Sequence, residues 1–334
     1  MSRRHVSVLV RMIIAALLLG WLVRSGSLDF GALALFFEHP ALLVANLAVF
    51  VGTYLIAAVR WRLLLRIAGV ELSFRRAVHL TFTGAFLNVV APGGVGGDIV
   101  KAIYVARDQA PARRPSVYLI ALLDRLLAMA GLVAVAVVLN IGVRAVSGDS
   151  RLGEPTTAIA LLAVVTLVLP VVGLVLVRRF AKRDEGPTEG ASRFAKLRGR
   201  LVAAAHLVSE RPGALLLSLG LSIAIHVCGI VWFSAVASAV LDQDVSIARM
   251  AIVYPLGMLS VLLPISYAGF GVGHIAFKQL FAMVGLSGGA NVLNVYLIGQ
   301  IVPCLFGVIP YLLLKREAVA PSEAELQTET IAER

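Results

Sequence analysis

Asp98 and Lys101 lie three residues apart, directly after the run Pro92-Gly93-Gly94-Val95-Gly96-Gly97 and within otherwise apolar sequence. On a helix that spacing puts both side chains on one face, where they can pair. A helix opening at Gly96-Gly97 also presents free amides. Asp98 can cap them, or the amides and Lys101 together can hold an anion such as a phosphate. Asn88, just before the break, adds a side-chain amide. Asp124 and Arg125 follow inside another apolar run. Neighbours on a helix point in different directions, so they need not pair with each other. Arg125 suits a bidentate partner, either a phosphate or a carboxylate such as Asp98. Structural pairing and anion binding are both open for these two residues. His274 and Lys278 are four apart and share one face of a later helix. Lys278 can snorkel towards water beside a hydrogen-bonded His274. Alternatively the two form a second anion half-site, with His274 able to carry a proton.

Familiar catalytic and ligand patterns are absent. There is no Walker loop, no Gly-x-Ser-x-Gly and no His-Glu-x-x-His, and the glycines at 93–97 lack the Lys-Ser/Thr ending that nucleotide phosphates need. No catalytic residue, metal or cofactor is expected. Cys228 and Cys304 sit in apolar runs and read as packing residues.

The elements that position these groups must lie in a membrane. The 334 residues are 59% hydrophobic and 15% charged, with a mean hydropathy of +0.91. Soluble domains are about 45–50% apolar and about 25% charged, so this surface cannot all face water. The net charge of +11 sits in short runs between apolar stretches, which is the pattern of cytoplasmic loops rather than of a nucleic-acid-binding face. Six stretches approach the roughly 20 apolar residues of a spanning helix: 6–23, 41–59, 117–141, 157–177, 214–241 and 290–314. The first is read as an uncleaved helix, because Trp21-Leu22-Val23-Arg24 is a poor cleavage site. Residues 178–212 read as a basic cytoplasmic linker with an amphipathic stretch near 194–207. Residues 319–334 read as a polar tail after one membrane domain, 1–318, with halves 1–150 and 151–318.

Positive charge concentrates on alternate loops, which puts both termini in the cytoplasm. Arg60, Arg62 and Arg66 then fall at the cytoplasmic surface, each gaining about 1 kcal/mol from anionic lipid. Trp21, Trp61 and Trp232 read as interface or packing residues. Two further apolar segments are interrupted. Residues 77–105 break at Pro92 and its glycines; residues 250–284 break at Pro264 and at Gly269-Phe270-Gly271. Proline removes a helix donor and clashes with the preceding turn, so each segment is expected to be a re-entrant pair of half-helices. At membrane depth such a break persists only if protein buries it or it lines a wet cavity. With six full spans the hairpins enter from opposite faces, as in an inverted repeat, and Gly94-Val95-Gly96 answers Gly269-Phe270-Gly271. The expected fold is therefore all-α, a polytopic membrane bundle.

Several of these pieces resemble one family. They are Arg60-Trp61-Arg62-Leu63-Leu64, Gly84-Ala85-Phe86-Leu87-Asn88, Pro92-Gly93-Gly94-Val95-Gly96-Gly97-Asp98, Lys101-Ala102, Asp124-Arg125-Leu126, and Leu263-Pro264-Ile265-Ser266 with Gly269-Phe270-Gly271. Together, over about residues 11–314, they resemble the transmembrane region of lysylphosphatidylglycerol synthases, the flippase-like domain of the multiple peptide resistance factor. The resemblance implies a protein that moves a lipid, often aminoacylated or glycosylated, between leaflets of a bacterial or archaeal membrane. The family's second hairpin commonly ends Gly-x-Arg-Glu, where this chain has Gly271-Val272-Gly273-His274. No soluble aminoacyl-transfer domain is expected after residue 314, so synthesis of lysylphosphatidylglycerol is not.

Three readings follow. The first is a flippase-like protein of the inner (plasma) membrane translocating a phospholipid or modified anionic lipid. Its groove would be lined by Asn88, Pro92, Gly93, Gly94, Gly96, Gly97, Asp98, Lys101, Asp124, Arg125, Pro264, Gly269, Gly271, His274 and Lys278. The second is a headgroup transferase using Asp98, Asp124 or His274. The third is a non-transporting partner of a lipid-modifying complex that docks through the basic linker.

Overall fold

A computed structural model describes residues 30–90, 96–111, 113–147, 211–262 and 272–317. The expected spans at 6–23 and 157–177, the linker up to residue 210 and the tail lie outside these residues. So do Pro92, Gly93, Gly94, Pro264, Gly269 and Gly271.

Every regular element among the described residues is helical. A short α1 (Phe30–Glu38), not anticipated from sequence, leads into α2 (Pro40–Ile67). Then come α3 (Phe74–Val90), α4 (Gly96–Arg107) and α5 (Arg114–Ser147). The second half holds α6 (Pro212–Leu241), α7 (Ile247–Leu262), α8 (Val272–Met283) and α9 (Gly289–Cys304). A 3₁₀ turn (Leu305–Gly307) joins α9 to α10 (Val308–Glu317). Pro40 and Pro212 open their helices at the first turn, where a missing N–H costs nothing. Past the end of α2, Gly69 takes the left-handed conformation that stops a helix (φ 71°).

Four stretches are long and apolar enough to cross a membrane: Pro40–Ile67, Arg114–Leu139, Pro212–Leu241 and Gly289–Leu312. In α2 and α6 only 22% of the most apolar window is buried. Val44, Val138, Leu216 and Val231 point outward from these spans. Such a surface is stable against lipid and not against water.

The two broken segments are hairpins. Neither α4 nor α8, each 12 residues or about 18 Å long, can cross a core of about 30 Å. In the first hairpin Arg76 pairs with Asp108, Gly84 faces Gly97 and Lys101, and Asn88 meets Gly97, so α3 and α4 run antiparallel. In the second, Gly257 packs on Phe277 and Gly273 on Val261, again antiparallel. Glycine is required at the first crossing, since a Cβ on Gly97 would overlap the Gly84 carbonyl oxygen.

The halves repeat: span, hairpin, span, then span, hairpin, span. Gly84 is the eleventh residue of α3, and Gly257 is the eleventh of α7. Gly97 and Gly273 are both second in their helices, α4 and α8. This register differs by one residue from the match of Gly96 with Gly271 read from the tips. The two first spans cross antiparallel: late in α2, Arg60 meets Ser222 of early α6, while early in α2, Asn46 meets Trp232 of late α6. Each hairpin follows the C-terminal end of its span, so the hairpins enter from opposite ends.

Two apolar clusters mark those ends. One gathers Trp61, Leu64, Leu65, Ile67, Val70, Ala102, Val105 and Val117, with Ala214 and Leu215 against it. The other gathers Phe36, Phe50, Phe233, Met250, Tyr254, Phe277, Phe281 and Tyr296.

Candidate lipid-headgroup site

Beside the first cluster lies a set of charges drawn from three helices. Arg60 of α2 donates through Nε to Asp124 Oδ1 of α5 at 2.8 Å, with side-chain exposures of only 7% and 10%. Its Nη1 donates to Ser222 Oγ of α6 at 2.8 Å, and that hydroxyl donates to the Ser218 carbonyl at 2.9 Å. Lys101 of α4 stands between two carboxylates, 3.7 Å from Asp124 Oδ2 and 3.4 Å from Asp98 Oδ1. Its ammonium also lies over the Trp61 ring, 4.6 Å from the centroid, a cation–π contact. Arg125 Nη1 donates to Asp98 Oδ2 at 3.0 Å. Asp98 and Arg125 are each 28% exposed and form the open end of the set.

The helices fix this arrangement. Asp124 is the eleventh residue of α5, about 15 Å along it, so its carboxylate lies within that apolar span rather than at its start. Adjacent on that helix, Asp124 and Arg125 diverge, one inward to Arg60 and one to the hairpin. Asp98 and Lys101 meet both because α4 runs antiparallel to α5. Isolated charges at this depth cost several kcal/mol, so the two Asp residues and the three cations must stay linked.

Several expectations are met and others are corrected. Asp98 pairs with Lys101 and with Arg125, the carboxylate alternative offered for that arginine. Among the described residues, the Gly97 amide is capped not by Asp98 but from across the hairpin. Asn88 Oδ1 instead accepts from the Gly97 N–H at 2.8 Å and ties the hairpin arms. Arg60 is not at the lipid interface: α2 runs unbroken to Ile67, carrying Arg60 inside the bundle, where it is 6% exposed. Arg62 is half-buried and donates to the Leu72 carbonyl at 2.7 Å, anchoring the turn after α2. Of the three, only Arg66 stands exposed. His274 and Lys278 lie on α8 in the other hairpin, His274 partly buried and Lys278 exposed, and neither belongs to the charged set.

Sequence reading missed Arg60, Ser218, Ser222 and Trp61 as parts of the site. The available signal was the i, i+4 pair Ser218 and Ser222 inside an apolar helix, which marks a polar stripe facing something other than lipid.

The corresponding place in the second half is uncharged. Arg60 is the twenty-first residue of α2, and Trp232 is the twenty-first of α6. Asp124 corresponds to Gly299, the eleventh of α9, and Asp98 and Lys101 to His274 and Phe277 of α8. There Trp232 Nε1 donates to Asn46 Oδ1 at 3.1 Å, and Asn46 Nδ2 donates to the Gly299 carbonyl at 2.8 Å. A neutral joint thus replaces an ionic one.

Residues 8–310 match the family described as "Lysylphosphatidylglycerol synthase TM region". Among curated proteins, UPF0104 membrane protein PH1989 of Pyrococcus horikoshii is 35% identical over 74 residues, 22% of each chain. The matched stretch therefore spans less than a quarter of that relative's length. No solved structure matches the chain.

Proposed function

The chain belongs to the lysylphosphatidylglycerol synthase transmembrane-region family, and from that premise we propose that it is a flippase-like protein translocating an anionic phospholipid, or a modified anionic lipid, between leaflets. The observation that carries the reading is the half-buried Asp98–Arg125 pair at the tip of a hairpin too short to cross the membrane. Charge is kept within the apolar span where an open edge remains, which suits a station for a headgroup whose acyl tails stay in lipid. Arg125 supplies a planar fork for phosphate. Asp98 and Asp124 already hold cations, which favours binding and passage over headgroup chemistry by a free base.

Arg66 and Arg107 in the last turns of α2 and α4 and Arg211 at the start of α6 stand at the end of the bundle held by the first apolar cluster, which by the positive-inside rule supports a cytoplasmic face there and an inner (plasma) membrane location. Both chain termini then lie in the cytoplasm.

The test is leaflet-resolved headgroup accessibility in vesicles carrying the purified protein. Translocation above empty vesicles is expected for at least one anionic lipid, and Arg125→Gln should reduce it by about tenfold, the cost of one good charge-assisted bond. Rates equal to empty vesicles for every anionic lipid tried would remove the proposal.

A further inference from the structure

We propose that the acidic segment after α10, residues 318–334, docks on the arginine-bearing end of the bundle and shields it from anionic lipid headgroups. The docking stands on charge and connectivity alone, while its effect on headgroups rests on the transport reading.

Six exposed arginines gather at one end of the described bundle. Arg66 lies in the last turn of α2, Arg75 in the first turn of α3 and Arg107 at the end of α4, while Arg113 and Arg114 stand at the start of α5 and Arg211 just before α6. Close to them in sequence, Ile67, Ala77, Ala106, Val117 and Ala214 all belong to the first apolar cluster or pack against it, so the arginines surround one surface. The turns there are tied down. Arg76 pairs with Asp108, and Arg114 Nε donates to the Gln109 carbonyl at 3.2 Å. Among the described residues this surface has two carboxylates: Asp108, which Arg76 holds, and the exposed Glu71. A cationic surface with so little counter-charge attracts an acidic partner.

The chain carries one. Residues 318–334 hold Glu323, Glu325, Glu329 and Glu333 against Arg334. The segment also starts at the right end. Asn46 of α2 donates to the Gly299 carbonyl of α9, and Tyr54 of α2 meets Cys304 Sγ at 3.0 Å, so the two helices run in the same direction. Arg66 lies twelve residues beyond Tyr54, and Arg316 of α10 lies twelve beyond Cys304, which brings the end of α10 level with the end of α2. A flexible segment of this length spans about 20–25 Å, enough to lie across the end of the bundle. An anionic leaflet repels the same glutamates, which leaves the protein's own cations as their counter-charge. Each surface pair is weak and screened by salt, but the tether holds the segment at an effective concentration of about millimolar. Docked, it occupies the arginines that would otherwise gather anionic lipid.

The experiment places nitroxides at Ala110→Cys, exposed in the turn before α5, and at Thr330→Cys of the full chain in a Cys228→Ala, Cys304→Ser background. Double electron–electron resonance in phosphatidylcholine nanodiscs should give a narrow distance distribution at about 50 mM salt that broadens at about 500 mM. Replacing the four glutamates with glutamine should broaden it at both. A distribution equally broad at both salt concentrations, or one that the glutamine variant leaves unchanged, would overturn the docking; docking on the basic stretch 178–212 instead would appear in the same way. Nanodiscs with about 30% phosphatidylglycerol should release the segment, and in the vesicle assay the glutamine variant should move anionic lipid severalfold faster than the unaltered chain at low salt and equally fast at high salt. A narrow distribution that phosphatidylglycerol does not disturb would refute the shielding. Salt-sensitive docking in a chain that translocates no lipid in either form would keep the docking and sink the transport reading.

Discussion

Arg60 and Asp124 form the shortest ion pair of the buried charged set. Each is nearly buried; Arg60 loses its counter-charge if Asp124 is removed, whereas Asp124 keeps Lys101 at 3.7 Å if Arg60 is removed. Asp124→Leu alone should destabilise the protein by about 3–5 kcal/mol, because it strands a buried guanidinium. The double variant Arg60→Met with Asp124→Leu should recover most of that loss, since replacing both partners with apolar groups is often near neutral. Thermal unfolding in detergent checks both, and a double variant as unstable as the single one would deny the coupling. At the open end, Arg125→Lys should lower translocation severalfold while changing stability by less than about 1 kcal/mol, as for a partly exposed pair. Vesicle flux and melting temperature measured on one preparation separate the two effects. The sequence made the outer half of this site legible: Asp98, Lys101 and Arg125 are odd charges in apolar surroundings, and their partners follow from helix spacing and complementarity. It concealed the inner half, because Arg60 follows directly on an apolar run and looks like the end of a span. Its partners lie 64 and 162 residues away, where no local rule reaches.

At the scale of elements, proline and glycine carried most of the readable information. The breaks near Pro92 and Pro264 fall between α3 and α4 and between α7 and α8, as helix-breaking chemistry requires. Less legible was how closely the arms approach, which depends on which glycine faces which backbone. Gly97→Ala should open the first hairpin and cost several kcal/mol, since the new methyl meets a carbonyl that cannot move away. Gly220→Ala on α6 has open space and should be neutral or slightly stabilising, as expected for an exposed helix position. Comparable melting temperatures for the two variants would contradict the tight crossing. The helix α1 escaped notice because its nine residues are too few to register as a span. The last span divides at the Leu305–Gly307 turn, just past Pro303, a detail that hydropathy alone passes over.

The described residues form two versions of one unit, span, hairpin and span, set against each other. Composition and charge bias gave the membrane bundle, and opposed hairpins followed from counting spans. The register of the repeat did not emerge from sequence, because only small residues and end positions keep it while functional side chains have diverged. Sidedness is open to direct measurement in a Cys228→Ala, Cys304→Ser background. A membrane-impermeant thiol reagent on intact cells should label Gln243→Cys and Ser287→Cys, and should reach Arg66→Cys and Arg113→Cys only after permeabilisation. All four positions are exposed at helix ends or turns. Labelling of Arg66→Cys from outside would invert the topology.

The crossing of α2 with α6 is pinned twice, at Arg60–Ser222 and at Asn46–Trp232, about 21 Å apart along α2. Sliding one rod along the other must rupture both pins together. Tilting needs only one to yield while its twin serves as the fulcrum. The softest motion left to this pair is therefore a see-saw, and the uncharged pin, with no ions to strand, is the one that gives way at lower cost.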